Sequence, residues 1–274
     1  MSIAEIHGKI SATGTNLSER MEDLLTSNVF GTLRYLPPET ALLPFLRTAR
    51  SVRGTALQLE AGIVRAHSAF WPWLSSPGRI PCEPDLMLGL ETEDRRVHLL
   101  LVEAKYHAGL SSEEDERDEP TNQLARELDN LSAVSPAVLG WSAGLRLVSR
   151  SLLFVTPDMS MPRADLERAL DEFQRKRKEQ GDIFWTSWRS LPSILENALK
   201  TESDPGRVAV LEDMLALLSR KGLTMFRGIK PVKHRFSVDD FLFYRPVPQG
   251  YRWPDIPEPD STLAAYRYEG IPHD

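Results

Sequence analysis

The side chains with chemistry to offer are two carboxylates and an ammonium group, Asp85, Glu103 and Lys105. They lie in residues 81–107, where two β-like runs at 85–91 and 97–105 flank a polar turn region at 92–96, the pattern of an antiparallel hairpin. Side chains alternate across a strand, so Leu99, Leu101, Glu103 and Lys105 share one face, and Asp85, Met87 and Gly89 share a face of the partner strand. A turn centred near Asp94 sets Asp85 opposite Glu103, with Cβ atoms about 5 Å apart. Like charges facing each other across a strand pair repel, so this spacing predicts a positive partner between them. A divalent metal ion suits two carboxylates, with Lys105 next along the same face.

Pro84-Asp85 followed by Glu103-Ala104-Lys105 resembles the signature of the PD-(D/E)xK nuclease superfamily. Pro-Asp recurs at 157–158, 254–255 and 259–260, so the discriminating part is the acidic residue two before a lysine. That spacing is found nowhere else in the chain, and here it ends a strongly apolar run. The resemblance implies an α/β, restriction-endonuclease-like fold: a central mixed β-sheet flanked by helices. It implies metal-dependent hydrolysis of phosphodiester bonds in nucleic acid, DNA before RNA, with Mg²⁺ as cofactor and Mn²⁺ as a substitute.

By the same resemblance Asp85 and Glu103 hold the metal, the carbonyl of Ala104 also faces it, and Lys105 orients the attacking water or neutralises developing charge. Relatives often add a metal-facing acidic residue from an N-terminal helix; Glu22 is the first choice here and Glu19 the second. The helix after the Glu-x-Lys strand often supplies a glutamine, and Gln123 stands in that place. The exonuclease branch carries a tyrosine four residues further on, where this chain has Glu127, so an endonuclease is the expectation. Members of this size are common in restriction, defence and repair. The alternative is a catalytically inactive nuclease fold kept as a binding or assembly module.

Hydrophobic periodicity supplies the elements that must position these residues. Ser18 can cap a helix through about Phe30, with Leu17, Met21, Leu24, Leu25 and Asn28 around one side and Glu22 just off that stripe. A second helix is expected within 39–49 and a first core strand within 58–73, with a helix over 57–67 as the alternative; Glu60 and His67 there read as structural polar residues. After Pro120 and Thr121, Leu124, Leu128 and Leu131 form a helical stripe that leaves Asn122, Gln123, Arg126 and Glu127 off it. A buried strand at 151–156, a helix at 164–178, a last strand at 183–188 and a helix at 194–200 follow. The best delimited helix has Asp204 as cap, Pro205 at its first position, Val208, Leu211, Leu215 and Leu218 as its stripe, and Gly222 as its stop. Residues 16–225 thus read as the nuclease-like domain with helical additions. Residues 226–274, rich in proline and aromatics, read as an extension packed over it.

The chain of 274 residues is long enough to bury a large core, and its single cysteine, Cys82, excludes an intrachain disulfide and a Cys-rich zinc site. A thiol or His107 nucleophile would need a placed base, and the sequence offers none. The net charge of −6 opposes indiscriminate binding to phosphate backbones. The local basic clusters, Arg47, Arg50 and Arg53, residues 175–178, and Lys230, Lys233 and Arg235, read first as solvated faces and second as phosphate-binding patches. The acidic run at 111–119 reads as a solvated loop. No apolar run approaches the roughly 20 residues needed to span a bilayer, and the N-terminus lacks a basic-then-apolar leader, so the expected location is the cytoplasm. The expected partner is nucleic acid, with no membrane; a homodimer or a protein partner is left open.

Overall fold

A strand buried on both faces must be apolar at nearly every position, and the runs around residues 86–90 and 97–102 meet that condition. In the computed structural model, which describes residues 17–106, 119–141 and 144–224, these runs are the two inner strands of a hairpin. Chain order is α1 (Leu17–Leu33), α2 (Leu42–Leu46), β1 (Arg50–Ser51), β2 (Ile63–Phe70), β3 (Leu86–Thr92) and β4 (Arg96–Ala104). It continues with α3 (Gln123–Ala133), β5 (Arg146–Thr156), α4 (Arg163–Arg177), β6 (Ile183–Ser187), α5 (Leu191–Leu199) and α6 (Pro205–Arg220).

The six strands form one open mixed sheet in the order β1-β6-β5-β4-β3-β2. β2, β3 and β4 are antiparallel neighbours, β4, β5 and β6 run parallel, and β1 returns antiparallel on β6. Parallel neighbours need long crossovers, which here contain α3 and α4. Both helices pack on one face of the sheet, where Leu124, Leu128, Leu166 and Phe173 meet Met87, Leu99, Leu101, Leu152 and Phe154. The other face meets α1, α2, α5 and α6 through Leu25, Phe30, Phe45, Leu195, Leu211 and Leu218. The expected α/β class, a mixed sheet flanked by helices, is the architecture observed.

The register places the functional strand ends. Leu86 pairs with Val102 and Gly89 with Leu99, so the hairpin centres on Asp94 and Asp85 stands across from Glu103. Because β4 and β5 are parallel, Glu103 and Phe154 lie side by side near the same end of the sheet.

Three expectations shift, and one short strand was not foreseen. The strand expected within 58–73 is shorter and forms the sheet's edge rather than its core, which explains its half-exposed centre. β1 is only two residues long and left no pattern to read. β5 starts at Arg146, five residues before its apolar half, because its first residues alternate with solvent. α5 starts at Leu191, with Pro192 inside its first turn, where the missing N–H is harmless. The expected α6 is found with its cap: Asp204 Oδ1 accepts from the Arg207 N–H at 2.9 Å, and Gly222 takes φ +68° just beyond the end. No helix among the described residues is long and apolar enough to cross a membrane. The N-terminal arm, most of the acidic run, His107, the Lys230–Arg235 cluster and the extension at 226–274 lie outside the described residues.

Candidate metal centre

Three elements distant in sequence deliver three carboxylates to one point. Asp85 immediately precedes β3, Glu103 is the penultimate residue of β4, and Glu22 comes from the second turn of α1. One ligand oxygen from each lies within 4.8 Å of the others, and all three residues are buried. The Cβ alternation that separates apolar faces along β4 aims Glu103 toward Asp85's side of the sheet. The side chain of Glu19, the second choice on α1, is outside the described ones.

Lys105 is the cation of the cluster. Its Nζ lies 2.8 Å from Glu103 Oε1 and 3.1 Å from Glu22 Oε1. Backbone N–H groups hold the remaining geometry: Ala104 donates to Asp85 Oδ2 at 2.8 Å, and Tyr106 donates to Glu22 Oε2 at 3.0 Å. Ala104 therefore meets the cluster through its N–H. Trp188 fixes the strand end by donating from Nε1 to the Lys105 carbonyl at 3.1 Å. Gln123, the first residue of α3, donates from Nε2 to Glu103 Oε1. Glu22, Asp85, Glu103, Lys105 and Gln123 thus lie together at this end of the sheet, with the Ala104 N–H against Asp85.

Two further residues belong to it. Glu127 was expected off the apolar stripe of α3, yet it is only 1% exposed and hydrogen-bonded to Glu103. Its Oε2 is buried without a hydrogen-bond partner. The available signal was spacing: four residues after Gln123, it projects from the same side of the helix. Trp71 is the other, and no local pattern marks it. Its backbone sits in the left-handed region at φ +47°, uncommon for a bulky residue. Its N–H donates to the Asp85 carbonyl at 3.0 Å and its indole donates to Asp23 Oδ1 at 3.2 Å, joining the strand entrance to the helix that carries Glu22.

Burial decides the electrostatics. It pushes the Asp85 carboxyl well above the usual range, and the neighbouring Glu103 adds to the effect. Burial and then Glu103 do the same to Glu127. Glu22 is also raised by burial, with Lys105 opposing. Burial alone would lower the Lys105 ammonium, but Glu103 and Glu22 override it and the group is held charged. Four carboxyl groups therefore compete for one ammonium. Glu127 Oε2 is left without a hydrogen-bond partner among the described residues, and Glu22, Asp85 and Glu103 could hold a cation. Hard oxygen donors of this kind suit Mg²⁺, Mn²⁺ or Ca²⁺ rather than a soft metal.

The other candidates stand apart. His67 pairs with Glu91 at 2.6 Å and stacks on Trp141, and Glu60 pairs with Arg96 at 2.7 Å, so both are structural. Cys82 is buried, and burial followed by the field of Glu127 pushes its thiol up to about 12. Such a thiol is no nucleophile at neutral pH. No family model matches the chain, and neither does any curated protein or solved structure.

Proposed function

We propose that the protein is a metal-dependent nuclease, hydrolysing phosphodiester bonds in nucleic acid, DNA before RNA, on a restriction-endonuclease-like sheet. The observation that carries this reading is the convergence of Glu22, Asp85 and Glu103 within 4.8 Å of one another, with Lys105 bonded to two of the three. The residues fit a hard dication, because Mg²⁺ and Mn²⁺ prefer carboxylate oxygens and three buried carboxylates offer one each. Asp85, Glu103 and Glu22 would hold it, and Ala104, whose N–H holds Asp85, would steady the set. When bound, the ion lowers the pKa of water and offsets charge on phosphate oxygens.

The chain's own groups do the rest. Lys105 Nζ stands at the rim of the carboxylates, where it orients a water and stabilises negative charge arising on the phosphate. Gln123 holds Glu103 in one rotamer through its amide and so positions the carboxylate that faces the water or substrate oxygen. Glu127 hydrogen-bonds to Glu103 from within the helix and keeps that carboxylate from swinging toward the core.

The test is a cleavage assay on supercoiled, linear and single-stranded DNA and on RNA, with Mg²⁺, Mn²⁺ or chelator. Asp85→Asn and Lys105→Ala should each lower the cleavage rate at least 100-fold while circular dichroism stays unchanged. Wild-type cleavage by either variant sinks the assignment. If calorimetry finds neither Mg²⁺ nor Mn²⁺ bound by the wild type, the fold serves as a binding platform instead.

A further inference from the structure

The first two turns of α3 bury Leu124, Ala125, Glu127 and Leu128 and leave Gln123 and Arg126 partly open. Positions three apart on a helix are neighbours on its surface, so Arg126 stands one turn along from the amide that touches Glu103. The N–H of Arg126 closes the first helical turn on the capping residue's carbonyl, Asn122 O, at 2.9 Å, which fixes where its side chain begins. The adjoining loop is pinned as well: Asn130 Nδ2 donates both to the Arg126 carbonyl, at 2.9 Å, and to Ile80 O, at 2.7 Å.

Among the described residues the guanidinium has no hydrogen-bonded or ion-paired partner. Arg126 Nε is buried and has no hydrogen-bond partner, and no carboxylate among the described residues forms an ion pair with it. Other partly buried arginines are used up. Arg79 and Arg177 share Asp129, Arg96 holds Glu60, and Arg189 is taken by the carbonyls of Pro157, Gly222 and Thr224. Arg126 follows Gln123 by three positions and immediately precedes Glu127, the two residues of α3 that bond to Glu103, which sets it at the metal-centre end of the helix. A planar fork of donors without an internal acceptor matches the two free oxygens of a phosphodiester, and Lys105 is already committed to carboxylates.

We propose that Arg126 is the phosphate-binding residue of this site, gripping a backbone phosphate of the strand whose neighbouring bond lies over Glu22, Asp85 and Glu103. The proposal rests on the nuclease reading and adds the group that holds the substrate. A chain of net charge −6 with a carboxylate-rich centre repels a polyanion, so binding depends on such a cation.

The experiment uses the full chain and a fluorescein-labelled oligonucleotide, its anisotropy followed in Ca²⁺ over a range of salt, with Mn²⁺ calorimetry and steady-state cleavage alongside. Arg126→Ala should weaken oligonucleotide binding 10-fold or more and raise KM by a similar factor. It should reduce the slope of log affinity against log salt by about 1, while Mn²⁺ affinity stays within twofold. Arg126→Lys should regain most of the salt slope but only part of the affinity. If alanine does not fold, Arg126→Gln carries the same expectations. Unchanged affinity and slope in a variant of an active wild type overturn the proposal, as does loss of Mn²⁺ binding in parallel with oligonucleotide binding. A wild type that neither binds nor cuts nucleic acid overturns the nuclease reading itself.

Discussion

Asp85 and Glu103 face each other across one rung of the hairpin, and this was legible because a single quantity, the position of the turn, fixes every pair above it. Lys105 followed from strand alternation. Glu127 was not legible as part of the centre, since hydropathy assigns a carboxylate to solvent and only the tertiary contact with Glu103 makes its burial tolerable. Glu127→Gln keeps a donor toward Glu103 and removes an ionisable group from a buried place. In chelator at pH 8 its melting temperature should equal or exceed that of the wild type, whereas Glu127→Ala should lose about 1–3 kcal/mol in urea titrations. Cys82 gives a second test at this scale. With its thiol pushed up to about 12 by burial, it should resist alkylation at pH 8 in the folded protein and react fully in denaturant, as read by mass spectrometry.

Elements with strong end signals were read well, and those made by the sheet were not. α6 announces itself through Asp204, Pro205 and Gly222, all local chemistry. β1 and the alternating first half of β5 exist because neighbours pair with them, so their own residues carry little trace. α3 lies between these cases: its stripe was visible, but its start depends on Asn122, whose Oδ1 accepts from the Leu124 and Ala125 N–H groups. Glu172 of α4 in turn accepts from the backbone of Thr121 and Asn122, tying the two crossover helices at the point where Gln123 begins. Asn122→Ala should therefore lower stability by about 1 kcal/mol in denaturant titration. It should also slow cleavage, because the frayed turn is the one that aims Gln123.

For the molecule as a whole, the centre is a local deficit of positive charge that an ion removes. Carboxyls raised in the native state, here Asp85, Glu127 and Glu22, bind more protons folded than unfolded, so their contribution is present in full below about pH 4 and is lost as pH rises through the raised values. Glu91, lowered by its His67 bond, has the opposite sign: its contribution is present in full above the ordinary carboxylate range and is lost as pH falls through its lowered value. Between pH 5 and 8 the chelated protein should become less stable as pH rises, and saturating Mn²⁺ should flatten that slope. At 100 times its dissociation constant the ion should add about 2.7 kcal/mol. Thermal melts at four pH values, with and without Mn²⁺, check both.

The Lys105–Glu22 bond joins residues 83 positions apart, the Trp188 indole closes on the Lys105 carbonyl, and the Tyr106 hydroxyl waits for the carbonyl of Lys221. A ribosome must therefore release more than two hundred residues before the last support of the cluster can dock. Under the nuclease reading, the centre reaches its full set of supports only after those late residues have emerged.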